Sequence, residues 1–199
     1  MSAEGRVGSR VSLRYRLPEG QAEAFTDVVG HLEALAPIVV VRTKSGERVQ
    51  ISPADVLSVR ELSHAPVRNS QIRDLERTAA LAHPAAEQQW LAGWLLRADP
   101  NITDLRSNSA APLDISAALD ALVDIVSWYA ERDRQPWLDL PERLLPVRLA
   151  GVSPSRMLVD PAGEYVRVAD DDPDALSRYE SMGYRLHHRA RYVLASDLL

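Results

Sequence analysis

Two adjacent histidines and a run of three aspartates near the C-terminus are residue types that could bind a metal ion. His187 and His188 lie in a segment that alternates like a strand, so one ring is expected on each face and at most one can face a cleft. Neither belongs to a His-x-x-x-His or His-Glu-x-x-His pattern, and the chain has no cysteine. The run from Asp170 to Asp172 could suggest calcium, but a helix cap at Asp172 explains it better. We therefore expect no metal site and no thiol or disulfide chemistry.

A row of arginines on one face of the first predicted strand could contact phosphates. The row comprises Arg10, Arg14 and Arg16. Residues 1–68 carry 9 basic and 8 acidic side chains, whereas residues 69–199 carry 14 basic and 20 acidic ones. Neither part is basic enough to predict nucleic-acid binding, so we interpret the row as an ordinary solvated face.

The N-terminal third has the pattern of a small β-barrel. Strict alternation over residues 10–17 predicts a half-buried strand, and four more strand-like runs follow. These runs span residues 25–35, 38–43, 48–51 and 56–62. A proline-initiated helical turn over residues 52–55 is typical of Src-homology-type barrels. We predict a five-stranded barrel over residues 1–64 and a proline-containing linker over residues 65–68.

Beyond the linker the hydrophobic period becomes helical, and the elements predict an α/β domain over residues 69–199. Asn69 can cap a helix ending near residue 82, and Asp172 with Pro173 can start another that Gly183 ends. The remaining predicted elements are strands over residues 89–97, 165–169 and 184–194 and a helix over residues 114–133.

Composition gives a coarse view of class and compartment. The chain has 199 residues, 46% of them hydrophobic, which is enough to build packed cores. No run approaches the roughly 20 apolar residues of a membrane span, and the N-terminus lacks the apolar core of a signal peptide. We expect a cytoplasmic protein with no membrane partner; the sequence leaves its oligomeric state open.

The segment from Asp172 to Tyr184 resembles the closing motif of GNAT N-acetyltransferases, Asn-x-x-Ala-x-x-Leu-Tyr-Glu-x-x-Gly-Phe. The matching residues are Ala175, Tyr179, Glu180 and Gly183, with Tyr184 in place of phenylalanine and Asp172 in place of asparagine. Together with the barrel, the arrangement is similar to an actinobacterial subgroup of histone-acetyltransferase-like proteins. The resemblance implies a GNAT-like fold and transfer of acetyl from acetyl-CoA to an amine of a protein or small molecule.

The same resemblance implies a cofactor site at Arg148, Gly151, Ser153 and Asp172, with Tyr179 protonating the leaving thiolate. GNAT enzymes place a glycine-rich loop before a helix, whose backbone N–H groups bind the pyrophosphate. Here serine occupies the third small position and a proline follows it. The spacing from Arg148 to Tyr179 is roughly two helical turns shorter than the family pattern, so the domain looks internally shortened.

Several alternatives stay open at this stage. Tyr179 could simply pack against Leu176 and Met182, and the general base could be Glu164 or Asp172. The chain could also be a non-catalytic interaction module, or its barrel could bind nucleic acid, which the charge disfavours. A splayed pair of parallel strands with free N–H groups beside Gly151 would favour the enzyme.

Overall fold

The computed structural model describes residues 6–18, 23–63, 65–148 and 151–199. The chain divides into two compact units, Met1–Pro66 and Val67–Leu199. Within the described residues, no helix has the length and apolar character needed to cross a membrane. Residue 64 and residues 149–150 of the expected cofactor loop lie outside the described ranges.

The first unit is a five-stranded antiparallel sheet in the order β4-β3-β2-β1-β5. Its strands are β1 Arg10–Arg16, β2 Phe25–Ala34, β3 Val39–Thr43, β4 Arg48–Ile51 and β5 Val56–Glu61. Val11 and Leu13 are fully buried in its apolar core, as the alternating pattern of β1 predicts. A 3₁₀ turn over Pro53–Asp55 joins β4 to β5, and its cap is Ser52, which accepts a bond from the Ala54 N–H.

Among its described residues, the second unit has three α-helices and seven strands. The helices are α1 Asn69–Ala82, α2 Leu122–Ala130 and α3 Pro173–Ser181. The strands are β6 Glu87–Leu91, β7 Trp94–Ala98, β8 Ala111–Pro112, β9 Trp137–Pro141, β10 Val152–Val159, β11 Tyr165–Ala169 and β12 Arg185–Leu194.

These strands form a three-stranded sheet, β6-β7-β8, and a four-stranded sheet, β11-β10-β12-β9, with antiparallel neighbours throughout. A parallel bridge between Ala110 and Leu138 joins the two sheets, and the Ala110 carbonyl accepts a 2.8 Å bond from the Asp139 N–H. This bridge is the one parallel strand contact within the described ranges. It lies beside β9 rather than beside Gly151, so the splayed parallel pair expected at Gly151 is not found there.

Two of the apolar clusters in the described part of the second unit pack helices against its sheets. The larger one packs α2 against the joined sheets through Trp94, Ile125, Tyr129 and Leu138, all fully buried. The smaller one packs α3 on the outer part of the four-stranded sheet, centred on Leu158, Val168 and Leu176. This smaller cluster packs against α3, the helix that contains the predicted catalytic residue Tyr179.

The C-terminal elements follow the sequence prediction closely. Asp172 caps α3 by accepting a 2.9 Å bond from the Ala175 N–H, and Pro173 is the first helical residue. Gly183 lies just beyond the helix with φ +97°, the left-handed conformation that glycine adopts without a Cβ clash.

Three predicted elements are wrong. The strand over residues 89–97 is instead the hairpin β6–β7, because Ala92 and Gly93 both have positive φ and form a two-residue turn. The helix expected from residue 114 begins only after a 3₁₀ turn at Leu119–Ala121, because the Asp114 carboxylate binds the Ser116 N–H and hydroxyl and forms a local turn. The helix that the resemblance implies after Gly151 is instead the strand β10. The second unit therefore has two antiparallel sheets joined by one parallel bridge, with few helices, and the GNAT-like α/β arrangement is not confirmed.

Candidate functional site

The residues expected to hold the cofactor lie where a strand begins. A Cβ added to Gly151 would lie 2.3 Å from the Tyr192 carbonyl oxygen, so the absence of a side chain lets the backbone approach β12. Ser153 is exposed with φ +47°, and Arg148 is exposed in the preceding segment. Because β10 follows directly, this segment leads into a strand and not into the helix that the resemblance implies after the cofactor loop.

Asp172 lies at the same end of the sheet as this segment. The Asp170 N–H donates a 2.9 Å bond to the Pro154 carbonyl, which brings the start of α3 close to the start of β10. The Asp172 carboxylate already accepts a bond from its own helix. The structure thus gathers Gly151, Ser153 and Asp172 at one end of the sheet.

Tyr179 lies toward the other end of α3. It is seven positions from Asp172 in the chain, about 10 Å along the helix axis. Its half-buried ring meets the Tyr184 ring edge-to-face, with 5.3 Å between centroids, and packs on the cluster around Leu176. Met182, the other packing partner considered from sequence, is 62% exposed. The packing interpretation therefore holds for Leu176 and not for Met182.

The second unit contains a buried cluster of charged and polar side chains that the sequence analysis did not predict. Glu76 of α1, Asp139 of β9, Arg167 of β11 and His188 of β12 converge in its interior. Arg167 donates to both oxygens of Glu76, at 2.6 and 2.7 Å, and to Asp139 Oδ2 at 2.7 Å. His188 Nε2 lies 2.7 Å from Glu76 Oε1.

Arg97 of β7 extends the cluster on the Asp139 side. Its side chain is 2% exposed, lies 3.9 Å from Asp139 Oδ2 and donates to the Ser109 hydroxyl at 3.4 Å. The Tyr129 hydroxyl donates to the Arg97 carbonyl at 3.0 Å, and burial raises the pKa of that phenol. Buried charges are tolerated only when paired and hydrogen-bonded, and here two arginines meet two carboxylates.

The cluster keeps its acidic member ionised. Burial alone would raise the pKa of Glu76, but Arg167 and His188 outweigh it and bring that pKa to about 2. The pKa of Arg167 is raised well above its ordinary value, because Asp139 and Glu76 outweigh the effect of burial. At neutral pH the Glu76 carboxylate is therefore an anion that only accepts hydrogen bonds.

A cavity of about 250 Å³ borders this cluster beneath α1. Glu76, Asp139, Arg97, Arg106 and Arg167 bring three positive and two negative charges to its wall. The remaining wall is largely apolar, with Ala79, Ala80, Ala111, Met157, Tyr165 and Val166 among its residues. Such a cavity suits a small group with an apolar part and a hydrogen-bond acceptor.

His187 and His188 lie together, contrary to the expectation of one ring on each face. The pairing of β10 with β12 shifts between Met157–His188 and Leu158–Leu186, so His187 is the extra residue of a bulge. The two rings meet edge-to-face with 5.0 Å between centroids, and their Nδ1 atoms are 2.7 Å apart. The bulge therefore connects the half-buried His187 to the buried cluster. No group of three or more histidine and acidic residues suited to a metal occurs among the described residues.

The arginine row of the first unit is largely engaged within the protein. Arg14 donates to both oxygens of Asp27, at 3.0 and 2.9 Å, and Arg10 donates to the Ser63 carbonyl at 3.4 Å. These contacts fit the interpretation of the row as a solvated face with local ion pairs.

Comparison with known proteins gives two matches to family descriptions. Residues 5–60 match the Rv0428c N-terminal Sm-like domain, and residues 69–164 match the probable histone acetyltransferase Rv0428c C-terminal domain. An Sm-like domain fits a barrel-like β unit, whereas the Src-homology type is not confirmed. The second match ends before α3, so Tyr179, His187 and His188 lie beyond it.

One relative is the probable histone acetyltransferase Rv0428c of Mycobacterium tuberculosis (strain ATCC 25618 / H37Rv). It is 50% identical over 155 residues, which cover 77% of this chain and 51% of that protein. The chain thus spans about half the length of the relative it matches. No solved structure matches the chain.

Proposed function

From the presence of both Rv0428c-family domains in one chain, we propose that this protein is an N-acetyltransferase with a reduced cofactor site. It transfers acetyl from acetyl-CoA to an amine of a protein or small molecule. The support for acetyl transfer is the 50% identity to a relative named as a probable histone acetyltransferase. The support for a reduced site comes from the local geometry at Gly151.

The proposal of a reduced cofactor site depends on the packing of Gly151 against β12, immediately before β10 begins. In the family that the sequence resembles, a helix N-terminus supplies aligned N–H donors to the pyrophosphate. Here a strand follows, so those donors are not aligned, and Arg148 and Ser153 are the exposed groups left to contact phosphate. Charge-assisted bonds contribute about 1.5 to 3 kcal/mol each, so losing two weakens binding by roughly two to four orders of magnitude.

Tyr179 is the proposed proton donor to the departing thiolate. A tyrosine hydroxyl can act as a general acid toward a thiolate that forms in a partly buried site. Coenzyme A is an extended molecule, so phosphates near Ser153 and a thioester near Tyr179 can belong to one ligand. This role needs only the half-buried position that Tyr179 has on α3.

Calorimetric titration of acetyl-CoA into the full chain tests the reduced site. We expect a Kd roughly two to four orders of magnitude weaker than that of an intact relative. Arg148→Gln should weaken binding further by about tenfold, because one phosphate contact is lost. Arg16→Gln, which removes an exposed arginine from the first unit, is the matched control and should leave the affinity unchanged. A micromolar Kd for the unmodified chain would contradict the proposal.

A second candidate function is a non-catalytic interaction module. It is favoured by the way Asp172 and Tyr179 are already engaged, one as a helix cap and the other in an apolar cluster. If this alternative is correct, calorimetric titration of acetyl-CoA into the full chain shows no heat of binding. No amine is then acetylated at any acetyl-CoA concentration. Product formation that depends on Tyr179 would rule it out.

A further inference from the structure

The cavity beneath α1 is bordered by two buried side chains that each keep one polar atom without a hydrogen-bond partner in the part of the chain that the structure describes. The atoms are Arg97 Nε and Asp139 Oδ1, on side chains that are 2% and 3% exposed. A buried donor or acceptor without a partner is costly, and a bound molecule can supply the missing bond. The cavity therefore calls for an acceptor beside Arg97 and a donor beside Asp139.

The charges on the cavity wall favour a negatively charged acceptor. Three arginines and two carboxylates border the cavity, which leaves a formal excess of one positive charge when His83 is neutral. Both oxygens of Glu76 already bind Arg167, so Arg97 and the half-buried Arg106 are the guanidinium groups left for a ligand. A carboxylate is the small anion that matches the planar donors of a guanidinium.

The donor beside Asp139 should be uncharged. Asp139 Oδ2 already accepts a 2.7 Å bond from Arg167 and lies 3.9 Å from Arg97. An ammonium at Oδ1 would bring a further positive charge to a wall that already has an excess of one, whereas a hydroxyl donates without adding charge. A hydroxyl beside a carboxylate therefore satisfies both buried atoms.

The remaining wall sets the size and the apolar character of the ligand. Ala80, Ala111 and Met157 are buried and supply apolar surface. The volume of about 250 Å³ has room for roughly eight to ten non-hydrogen atoms, since a water molecule takes about 30 Å³ of the liquid. Half-buried Ala79 and exposed His83 also border the cavity, so it is open to solvent at the C-terminal end of α1.

We propose that this cavity binds a small 2-hydroxycarboxylate with an apolar side chain. The ligand's carboxylate accepts hydrogen bonds from Arg97 and Arg106, and its hydroxyl donates to Asp139. Its aliphatic part packs against Ala80 and Met157.

The cavity is separate from the residues expected to act in acetyl transfer. Met157 and Arg167 pair across β10 and β11, and both border the cavity. Their neighbours in the two strands, Leu158 and Val168, pack against α3. Successive strand residues point to opposite faces of a sheet, so Tyr179 on α3 and the cavity lie on opposite faces. The proposal thus adds a binding function that does not depend on acetyl transfer.

Calorimetric titration of the full chain with each enantiomer of 2-hydroxyisocaproate tests the ligand class. Two compounds of similar size separate the contacts, because isocaproate lacks the hydroxyl and leucine has an ammonium in its place. We expect saturable binding of one enantiomer and binding of both analogues that is weaker by about tenfold or more, the effect of losing one hydrogen bond to a charged group. Equal affinity for either analogue would overturn the assigned contacts. Binding of none of the three would mean that the cavity holds water only, and would overturn the proposal.

Variants of the cavity wall test the location. Ala79→Leu fills the cavity and should abolish binding, whereas Ala82→Leu, at an exposed position of the same helix, is the matched control and should keep the same Kd. Arg106→Gln removes one contact to the carboxylate without touching the buried cluster, so the Kd should rise by about tenfold or more. This second variant keeps the test decisive if Ala79→Leu does not fold.

An unchanged Kd in Arg106→Gln, or full binding by a folded Ala79→Leu, would place the ligand elsewhere and overturn the site. The melting midpoint of each variant without ligand shows whether its fold is retained. None of these titrations contains acetyl-CoA, so their failure would leave the proposed acetyl transfer untouched. Equally, a chain without acetyltransferase activity would leave this site in place.

Discussion

The guanidinium of Arg167 binds both carboxylate oxygens of Glu76, at 2.6 and 2.7 Å, although the two residues are 91 positions apart in the chain. Through this contact α1 is fixed to β11, and through Asp139 and His188 the same cluster reaches β9 and β12. The cluster therefore fixes α1, β9, β11 and β12 relative to one another. It thereby holds the walls of the cavity beneath α1 and the position of His187 on β12.

Removing one partner of this cluster should strongly destabilise the protein. Glu76→Gln leaves Arg167 buried beside a neutral amide, and breaking a buried ion pair in this way costs about 3 to 5 kcal/mol. Urea unfolding should show a lower midpoint with an unchanged slope. Glu131→Gln, at a position 74% exposed, is the control and should leave the midpoint in place. Equal midpoints for the two variants would contradict a structural role for the cluster.

Stability should fall in two steps on acidification. Burial, His188 and Arg143 lower the pKa of His187 from 6.5 to about 4, so between those values the unfolded chain binds a proton that the folded one does not. Glu76 has a pKa of about 2 against an ordinary 4.5, so its contribution is full above pH 4.5 and is lost as pH falls toward 2.

Unfolding free energies measured from pH 8 to pH 2 check both steps. His187→Gln should flatten the step between pH 6.5 and 4 and leave the lower one in place. If the curve of His187→Gln overlays that of the unmodified chain, His187 does not remain neutral in the folded state.

Much of the fold could be predicted where local signals act alone. The alternation of β1, the cap at Asp172 and the terminator at Gly183 each depend on residues within a few positions, and all three are found. The hairpin turn at Ala92 and Gly93 was missed because the apolar run through Trp90 and Trp94 conceals a two-residue reversal.

The buried cluster could not be predicted by the same reasoning, because its members come from four distant elements. One local signal was present: Ile72, Glu76 and Ala80 form the buried stripe of α1, which places a glutamate in an apolar row. Arg167 likewise interrupts the apolar strand β11. The bulge at His187 depends on register with β10, which the sequence of β12 alone does not encode.

The first unit should fold without the second. Residues 1–68 contain the complete five-stranded sheet and its own apolar core, and the chain divides after Pro66. A fragment of residues 1–68 should give a dispersed amide NMR spectrum with cooperative unfolding. A disordered spectrum from the fragment, beside a folded full chain, would show that the strands need the second unit.

Tyr179→Phe should separate catalysis from packing. The change keeps the ring against Tyr184 and Leu176 but removes the proton donor, so turnover should fall by about 10² to 10⁴ with little change in Tm. Tyr184→Phe, the other ring of the same pair, is the control and should keep full turnover. An active preparation of Tyr179→Phe with unchanged turnover would remove this residue from the mechanism.

The central claim is that this chain transfers acetyl from acetyl-CoA through a reduced cofactor site. The most direct measurement is mass-spectrometric detection of acetylated amine as a function of acetyl-CoA concentration, beside an intact relative. We expect product that saturates at a cofactor concentration roughly two to four orders of magnitude above that of the relative. Saturation at the same concentration would contradict the reduced site, and no product at any concentration would contradict acetyl transfer.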